Sequence, residues 1–312
     1  MFQDLVHQAE AALAPVIRET PCEYSEPLSD HLGVPVHLKL ECLQITGSFK
    51  IRGAWFALSR LKEAGQTRVA TVSAGNHGIG VAWAGRMLGL EVRIYVPRSV
   101  DAAKAAHLES LGAELVRSEF DGFDDTELWA LGQIEAARIP FLSAYDDERI
   151  LAANGGTLML EIRRQVPDVE TVVVPVGGGG MSGGMVSCDE APARLVAAQT
   201  AASPALRRSL KLGSAVTRLE TGDTLAGGLE GGIGQTGFAA LRDRVKQVIE
   251  VSEPAIAMGM RWMLEHHHYV IEPSSAVAVA ACLDPAVQVS GPTVVVLSGR
   301  NVALDTVRAV VA

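Results

Sequence analysis

Short runs of β-branched residues alternate with longer Ala- and Leu-rich stretches along most of the chain, and no other feature narrows the fold so far. "RVATVSA" (68–74) precedes "GIGVAWAGRMLG", "EVRIYVP" (91–97) precedes "DAAKAAHLESLG", and "AELVRS" precedes "DDTELWALGQIEAAR". "TVVVPV" (171–176), "RLVAAQ" (194–199), "QVIEVS" (247–252) and "TVVVLS" (293–298) follow, with helical stretches between them. Strand-helix alternation predicts an α/β fold, its mostly parallel sheets covered by helices on both faces. The 312 residues suffice for one large domain or two compact ones. Ligands in such folds bind beyond the carboxyl ends of strands. That singles out "SAGNHG" after the first strand of this series, "GGGGMSGG" after "TVVVPV", and "SGRN" after "TVVVLS".

Charge and composition remove other classes. Net charge is -9, so there is no basic field for a polyanion, and nucleic-acid binding is not expected. Cys22, Cys42, Cys188 and Cys282 form no CxxC pair and no metal-ligand spacing, which predicts free thiols in a reducing compartment. The N-terminus "MFQDLVHQAEAALAPVI" reads as an amphipathic helix, not as a signal peptide. The longest apolar runs have strand length, too short for a bilayer. A cytoplasmic protein without membrane contact is expected.

Gly177, Gly178, Gly179 and Gly180 stand between an apolar strand and an expected helix. Consecutive glycines let backbone N–H groups converge on one anion, and a helix N-terminus adds positive potential; a phosphate site is the physical reading. A tight turn between packed elements is the alternative, but four glycines exceed its needs. Gly178, Gly180 and Gly183 also satisfy G-x-G-x-x-G, yet the next strand offers Gln199 where a dinucleotide-binding unit expects an acidic residue. In "SAGNHG", Ser73, Gly75, Asn76 and His77 supply hydroxyl, amide and backbone donors at a second expected helix start. They suit a carboxylate or a cofactor oxygen, or simply cap the helix.

"TGSFKIRGA" (46–54) places Lys50 between a Gly-Ser-Phe turn and a helix start, surroundings that Lys39, Lys62, Lys104, Lys211 and Lys246 lack. Burial disfavours the ammonium form and makes an amine nucleophilic toward carbonyls. A reactive lysine with a phosphate cradle suggests pyridoxal 5′-phosphate held as a Schiff base. A lysine that merely follows a turn is the bland alternative.

With these stretches, "LKLECLQITGSFKIRGA", "AYDDERILAANGGTLMLEI", "IEPSSA" and "LSGRN" resemble the serine/threonine dehydratase and serine racemase group of pyridoxal-phosphate enzymes, of the tryptophan synthase β-like fold, fold type II. The motifs keep the family's order over nearly the whole chain. The resemblance implies a smaller domain, residues 67–146, inserted into a larger one built from 1–66 and 147–312, with the cofactor between them. It implies Lys50 as the Schiff-base lysine and Asn76 as partner of the cofactor's ring oxygen. It further implies Gly177, Gly178, Gly179 and Gly180 as the phosphate cradle and Ser298 as partner of the pyridine nitrogen. Ser73, Asn76 and His77 would bind the substrate carboxylate. A homodimer or homotetramer is expected.

The activity implied is β-elimination from L-threonine, L-serine or a related β-hydroxy amino acid, giving a 2-oxo acid and ammonia. A racemase or β-replacement synthase of the same fold is the nearest rival. A cofactor-free binding protein retaining the fold is the non-enzymatic one. Racemases that this chain resembles carry a serine as second acid-base group where Ala74 stands. Sulfur-incorporating synthases resemble "GSVKDR" and "SGNTG" where this chain has "GSFKIR" and "AGNHG". No regulatory domain is expected after "LSGRN".

Arg300 departs from the family's usual Gly or Ala and either points to solvent or reaches an acidic substrate side chain. Glu272, expected after a short strand, is either a cofactor neighbour or an ordinary strand-end carboxylate. His266, His267 and His268 end an expected helix and point around it in different directions, so no metal is assigned. Many relatives bind Mg²⁺ or Ca²⁺ where this chain has neutral Gln199, so cation dependence is not expected. The Gly-rich 222–237 stretch is a functional loop or a surface excursion.

Overall fold

The structure, a computed structural model, describes the chain from Met1 to Ala312, the side chain of Phe123 excepted. The amphipathic N-terminus forms α1 (Phe2–Leu13), which buries Val6, Ala9 and Leu13. Then come β1 (Cys22–Tyr24), α2 (Glu26–Leu32) and β2 (Val36–Lys39), followed by α3 (Lys50–Glu63). A compact βαβαβα series follows: β3 (Arg68–Val72), α4 (Asn76–Leu88), β4 (Glu91–Val96), α5 (Ala102–Ser110), β5 (Glu114–Arg117) and α6 (Phe123–Ala137). Next, α7 (Glu148–Leu151) runs through a π-helical stretch, Ala152–Gly156, into α8 (Thr157–Gln165). The remainder is β6 (Thr171–Pro175), α9 (Gly180–Ser187), β7 (Arg194–Thr200), α10 (Ala205–Leu212), α11 (Gln235–Leu241), β8 (Val245–Val251), α12 (Glu253–His267), α13 (Pro273–Leu283), β9 (Thr293–Val296) and α14 (Leu304–Val311).

Two sheets form. One has six strands in the order β1-β2-β9-β6-β7-β8, and the other three in the order β3-β4-β5. Every pairing is parallel except β1 with β2, a short antiparallel edge that the alternation pattern did not reveal. Strands β6 and β9 are buried along their whole length. That explains why they read as unbroken Val runs: helices cover both faces of a parallel sheet. One covering helix is α13, buried from Pro273 to Cys282, and burying each such Val is worth about 1.5–3 kcal/mol. Helix α3 adds Ile51, Ala54, Ala57 and Leu58 to the apolar cluster that contains Val69, Val92 and Ile94.

No strand precedes Glu272, contrary to the expectation: residues 269–271 are irregular, and Glu272 is the N-cap of α13. Pro273 at the first helical position explains the start, since its ring suits N1 and supplies no donor that the helix would need. The 222–237 stretch is exposed at Gly222, Asp223, Leu225 and Glu230 but is anchored to the body of the protein at buried positions. Ala226 and Ile233 are fully buried, and Gly234 N–H donates to Gly178 O at 3.0 Å.

Candidate active site

Three adjacent parallel strands deliver the groups singled out in the sequence. The chain leaves β2 through a 3₁₀ turn at Glu41–Leu43 and reaches Lys50; β9 leads to Ser298; β6 leads to Gly177–Gly180. Lys50 is held against the β9 exit. Phe49 N–H donates to Ser298 O at 3.1 Å, Arg300 N–H donates to Gly47 O at 2.9 Å, and Ser48 bridges Gly299.

Lys50 is the first residue of α3 and is partly buried. Its Nζ donates to Ala144 O at 2.9 Å and lies 5.3 Å from the Phe49 ring centroid. Loss of hydration pushes its pKa down to about 8, against the opposing pull of the Glu272 carboxylate.

The glycine loop has the form of an anion cradle. Gly179 is the N-cap of α9 at φ +82, a left-handed backbone that favours glycine, and no side chain caps that helix. The N–H groups of Gly180, Met181 and Ser182 therefore have no backbone partner among the described residues. A Cβ on Gly178 would overlap the Tyr145 ring, and one on Gly177 would lie 2.9 Å from Leu229 Cα. Side chains are thus excluded on two sides of the loop. The fully buried Ser48 Oγ has no partner within the described residues. A phosphorylated pyridine aldehyde fits this donor set: free amides for the phosphate, an amine of lowered pKa for the carbonyl, and hydroxyls left over.

The second loop behaves similarly. Gly75 caps α4 without a side-chain bond, while Ser73 Oγ accepts the Gly75 N–H at 3.2 Å. Asn76 extends across to the other sheet. Its Nδ2 donates to Glu272 Oε1 at 2.7 Å and Oε2 at 2.9 Å, and its Oδ1 accepts from Asn301 Nδ2 at 2.7 Å. Glu272 is 7% exposed, and burial raises its pKa to about 7 although the Asn76 amide and Lys50 oppose the shift. A Cβ on Gly299 would lie 2.5 Å from Glu272 Oε1, so the chain passes this carboxylate with no room for a side chain.

The His77 side chain, expected to help bind the substrate carboxylate, turns inward from this loop. Its ring is 3% exposed, with Nε2 3.0 Å from Thr71 Oγ1, and burial pushes its pKa down to about 3. The imidazole is neutral and faces inward. Ser298, two residues beyond the end of β9, is 4% exposed.

Other candidates fall away from this centre. Arg300 is exposed and forms no salt bridge among the described residues, which favours its solvent-facing reading. The three histidines diverge: His266 lies on Trp262 at 4.6 Å between ring centroids, His267 Nε2 meets Ser25 Oγ at 2.8 Å, and His268 Nδ1 lies 3.1 Å from Leu264 O. Gln199 is fully buried; Nε2 donates to Val176 O at 3.4 Å and Oε1 accepts Arg207 N–H at 3.1 Å.

Sequence reasoning did not find Tyr145, Ala144, Asn301 or the role of the π-helical stretch. The "AYDDERILAANGGT" segment carried a signal, since a Tyr and two glycines there had no core function, but spacing cannot show which loop a ring lies on.

A family described as "Pyridoxal-phosphate dependent enzyme" matches residues 13–299. An L-threonine ammonia-lyase of Geobacter sulfurreducens is 36% identical, over 98% of this chain and 77% of the relative. The solved structure of maize serine racemase superposes with a TM-score of 0.91 at 29% identity, covering 98% of this chain and 95% of that one. The processed form of threonine deaminase isoform 2 from Solanum lycopersicum does so with a TM-score of 0.88 at 28% identity, covering 99% and 92%.

Proposed function

The chain belongs to the pyridoxal-phosphate-dependent enzyme family, and from that premise we propose that it removes the α-proton and β-hydroxyl of L-threonine, L-serine or a related β-hydroxy amino acid as water by β-elimination, the enamine so formed then hydrolysing with release of ammonia. The products are a 2-oxo acid and ammonia. The observation that carries the reading is the Lys50 amine, its pKa lowered to about 8, set between a glycine cradle and a second uncapped helix start.

Bound pyridoxal phosphate supplies an electron-withdrawing ring that stabilises negative charge at the substrate Cα. The α9 N–H groups would hold its phosphate, the Ser298 hydroxyl would meet the ring nitrogen, and Asn76 would meet the ring oxygen. The N–H groups at the start of α4, with Ser73, hold the substrate carboxylate; His77 takes part through its backbone. Lys50, once free and neutral, accepts the α-proton, which its lowered pKa favours near neutral pH. The Ser298 hydroxyl, unlike a carboxylate, would not hold the ring nitrogen protonated, which would favour prompt loss of the β-hydroxyl. We also propose that residues 67–146 work as a body distinct from 1–66 and 147–312; the separate three-stranded sheet supports this.

The test is ammonia release over threonine, serine, 3-hydroxyaspartate and phenylserine, together with borohydride reduction and peptide mapping. Cofactor on Lys50 and ammonia from threonine or serine are expected; cofactor on another lysine, or on none, refutes the reading. Light scattering of the same preparation reads the proposed homodimer or homotetramer.

A further inference from the structure

The π-helical stretch Ala152–Gly156 separates α7 from α8 and touches α3 and α9, two of the helices whose starts build the site. A π turn is rare and often marks a functional position. This one is wedged in place. A Cβ on Gly155 would lie 2.6 Å from Met185 N and 2.7 Å from Gly184 Cα, and a Cβ on Gly156 would lie 2.5 Å from Val6 Cγ2. Backbone therefore meets backbone along α9, the helix whose start forms the glycine cradle.

On its other side the stretch reaches the Lys50 helix. Asn154, 1% exposed, accepts the Gly53 N–H through Oδ1 at 2.8 Å. In a regular first turn that N–H would bond the N-cap carbonyl. Here Phe49 O takes the Arg52 N–H instead, at 3.0 Å, and a side chain from another element takes the Gly53 donor. A Cβ on Gly53 would lie 2.8 Å from Asn154 Nδ2 and 2.9 Å from Ile150 Cδ1, so only glycine allows this approach.

We propose that Asn154 is a positioning residue for Lys50. By holding Gly53 N–H from a stretch locked onto α9, it sets the rotation and height of the first turn of α3 relative to the glycine cradle. The amine that reacts and the loop that holds the phosphate are thereby fixed to one another directly, and not merely through the six-stranded sheet whose strands β2 and β6 lead to them. The Arg52 guanidinium, bonded to Glu41 and Glu161, secures the same turn from its far side.

The test compares the holoenzymes N154A, N154Q and N154D by kcat and KM on L-threonine, by Tm, and by visible circular dichroism per bound cofactor. The last reports how the cofactor is held, independently of turnover. Loss or displacement of one buried hydrogen bond should lower kcat about tenfold in N154A and N154Q, with KM within about twofold and an altered visible dichroism. N154D keeps an acceptor of the same reach and should stay within about threefold of wild type. A lowered Tm with unchanged kcat and dichroism in N154A or N154Q overturns the proposal, as does a loss in N154D equal to that in N154A. If N154A does not fold, N154Q, which keeps the amide, carries the comparison. The inference rests on Lys50 carrying the chemistry. Were the wild type to release no ammonia from any β-hydroxy amino acid, the functional reading would fail while the dichroism still decided the role of Asn154.

Discussion

The Asn76 amide donates to both oxygens of the Glu272 carboxylate, at 2.7 and 2.9 Å, and so ties the start of α4 to the start of α13. This contact joins the start of a helix of the three-stranded unit to one that covers the six-stranded sheet, and the Glu272 and Lys50 side chains, which influence each other electrostatically, carry opposite pKa shifts.

Those shifts predict how the stability of the cofactor-free protein depends on pH. Burial raises the Glu272 pKa from 4.5 to about 7, so the native state binds more protons than the unfolded state between those values. Its contribution is present below pH 4.5 and is lost as pH rises through about 7, a change of about 3 kcal/mol at most. Desolvation lowers the Lys50 pKa from 10.5 to about 8, so stability is regained as pH rises from about 8 toward 10.5. Thermal denaturation should show a minimum of Tm between pH 7 and 8, and Glu272→Gln should remove the fall on its acid side. A flat wild-type profile would show that these groups titrate normally.

Beneath the site, Arg52 donates to Glu41 and Glu161, each at 2.8 Å, while Lys39 Nζ donates to Glu161, also at 2.8 Å. All four side chains are buried. Arg52→Leu strands the Glu41 carboxylate, and removing one partner of a buried pair costs about 3–5 kcal/mol. A Tm lower by roughly 8 °C or more is expected for the holoenzyme, with a smaller loss for Arg52→Lys. Calorimetry that found Arg52→Leu within a degree or two of wild type would contradict the network's role.

Chelation should leave activity within about twofold of the untreated enzyme. Hard cations favour charged oxygen ligands, and Gln199 is neutral, with both ends of its amide engaged by Val176 and Arg207. Ammonia release measured before and after a chelator checks this; a deep loss restored by Mg²⁺ would disprove it.

Racemisation requires acid-base groups on both faces of the planar carbanion. Ala74 stands where racemases resembling this chain carry a serine, and its methyl packs against the apolar cluster containing Ile51. L-serine should therefore give a 2-oxo acid with no D-serine detectable by chiral chromatography. Accumulation of D-serine by the wild type would mark a racemase, whereas its appearance only in Ala74→Ser would support the assignment.

What the sequence determined by itself was everything that repeats or is contiguous. Unbroken Val runs announced β6 and β9 because strands buried on both faces need no polar alternation. Four glycines after such a strand announced the cradle, and the Gly-Ser-Phe-Lys turn announced the helix start at Lys50. Tertiary structure alone decided what depends on residues far apart in the chain. The edge strand β1 has only three residues and no period to read. The inward turn of His77, the pairing of Asn76 with a carboxylate 196 positions away, and the bond from Asn154 to Gly53 are set by where two sheets and a π turn bring their backbones together. Local propensity acts over a few residues; desolvation and the pairing of buried donors act over whatever the fold places within about 3 Å, and only the packed chain determines which groups those are.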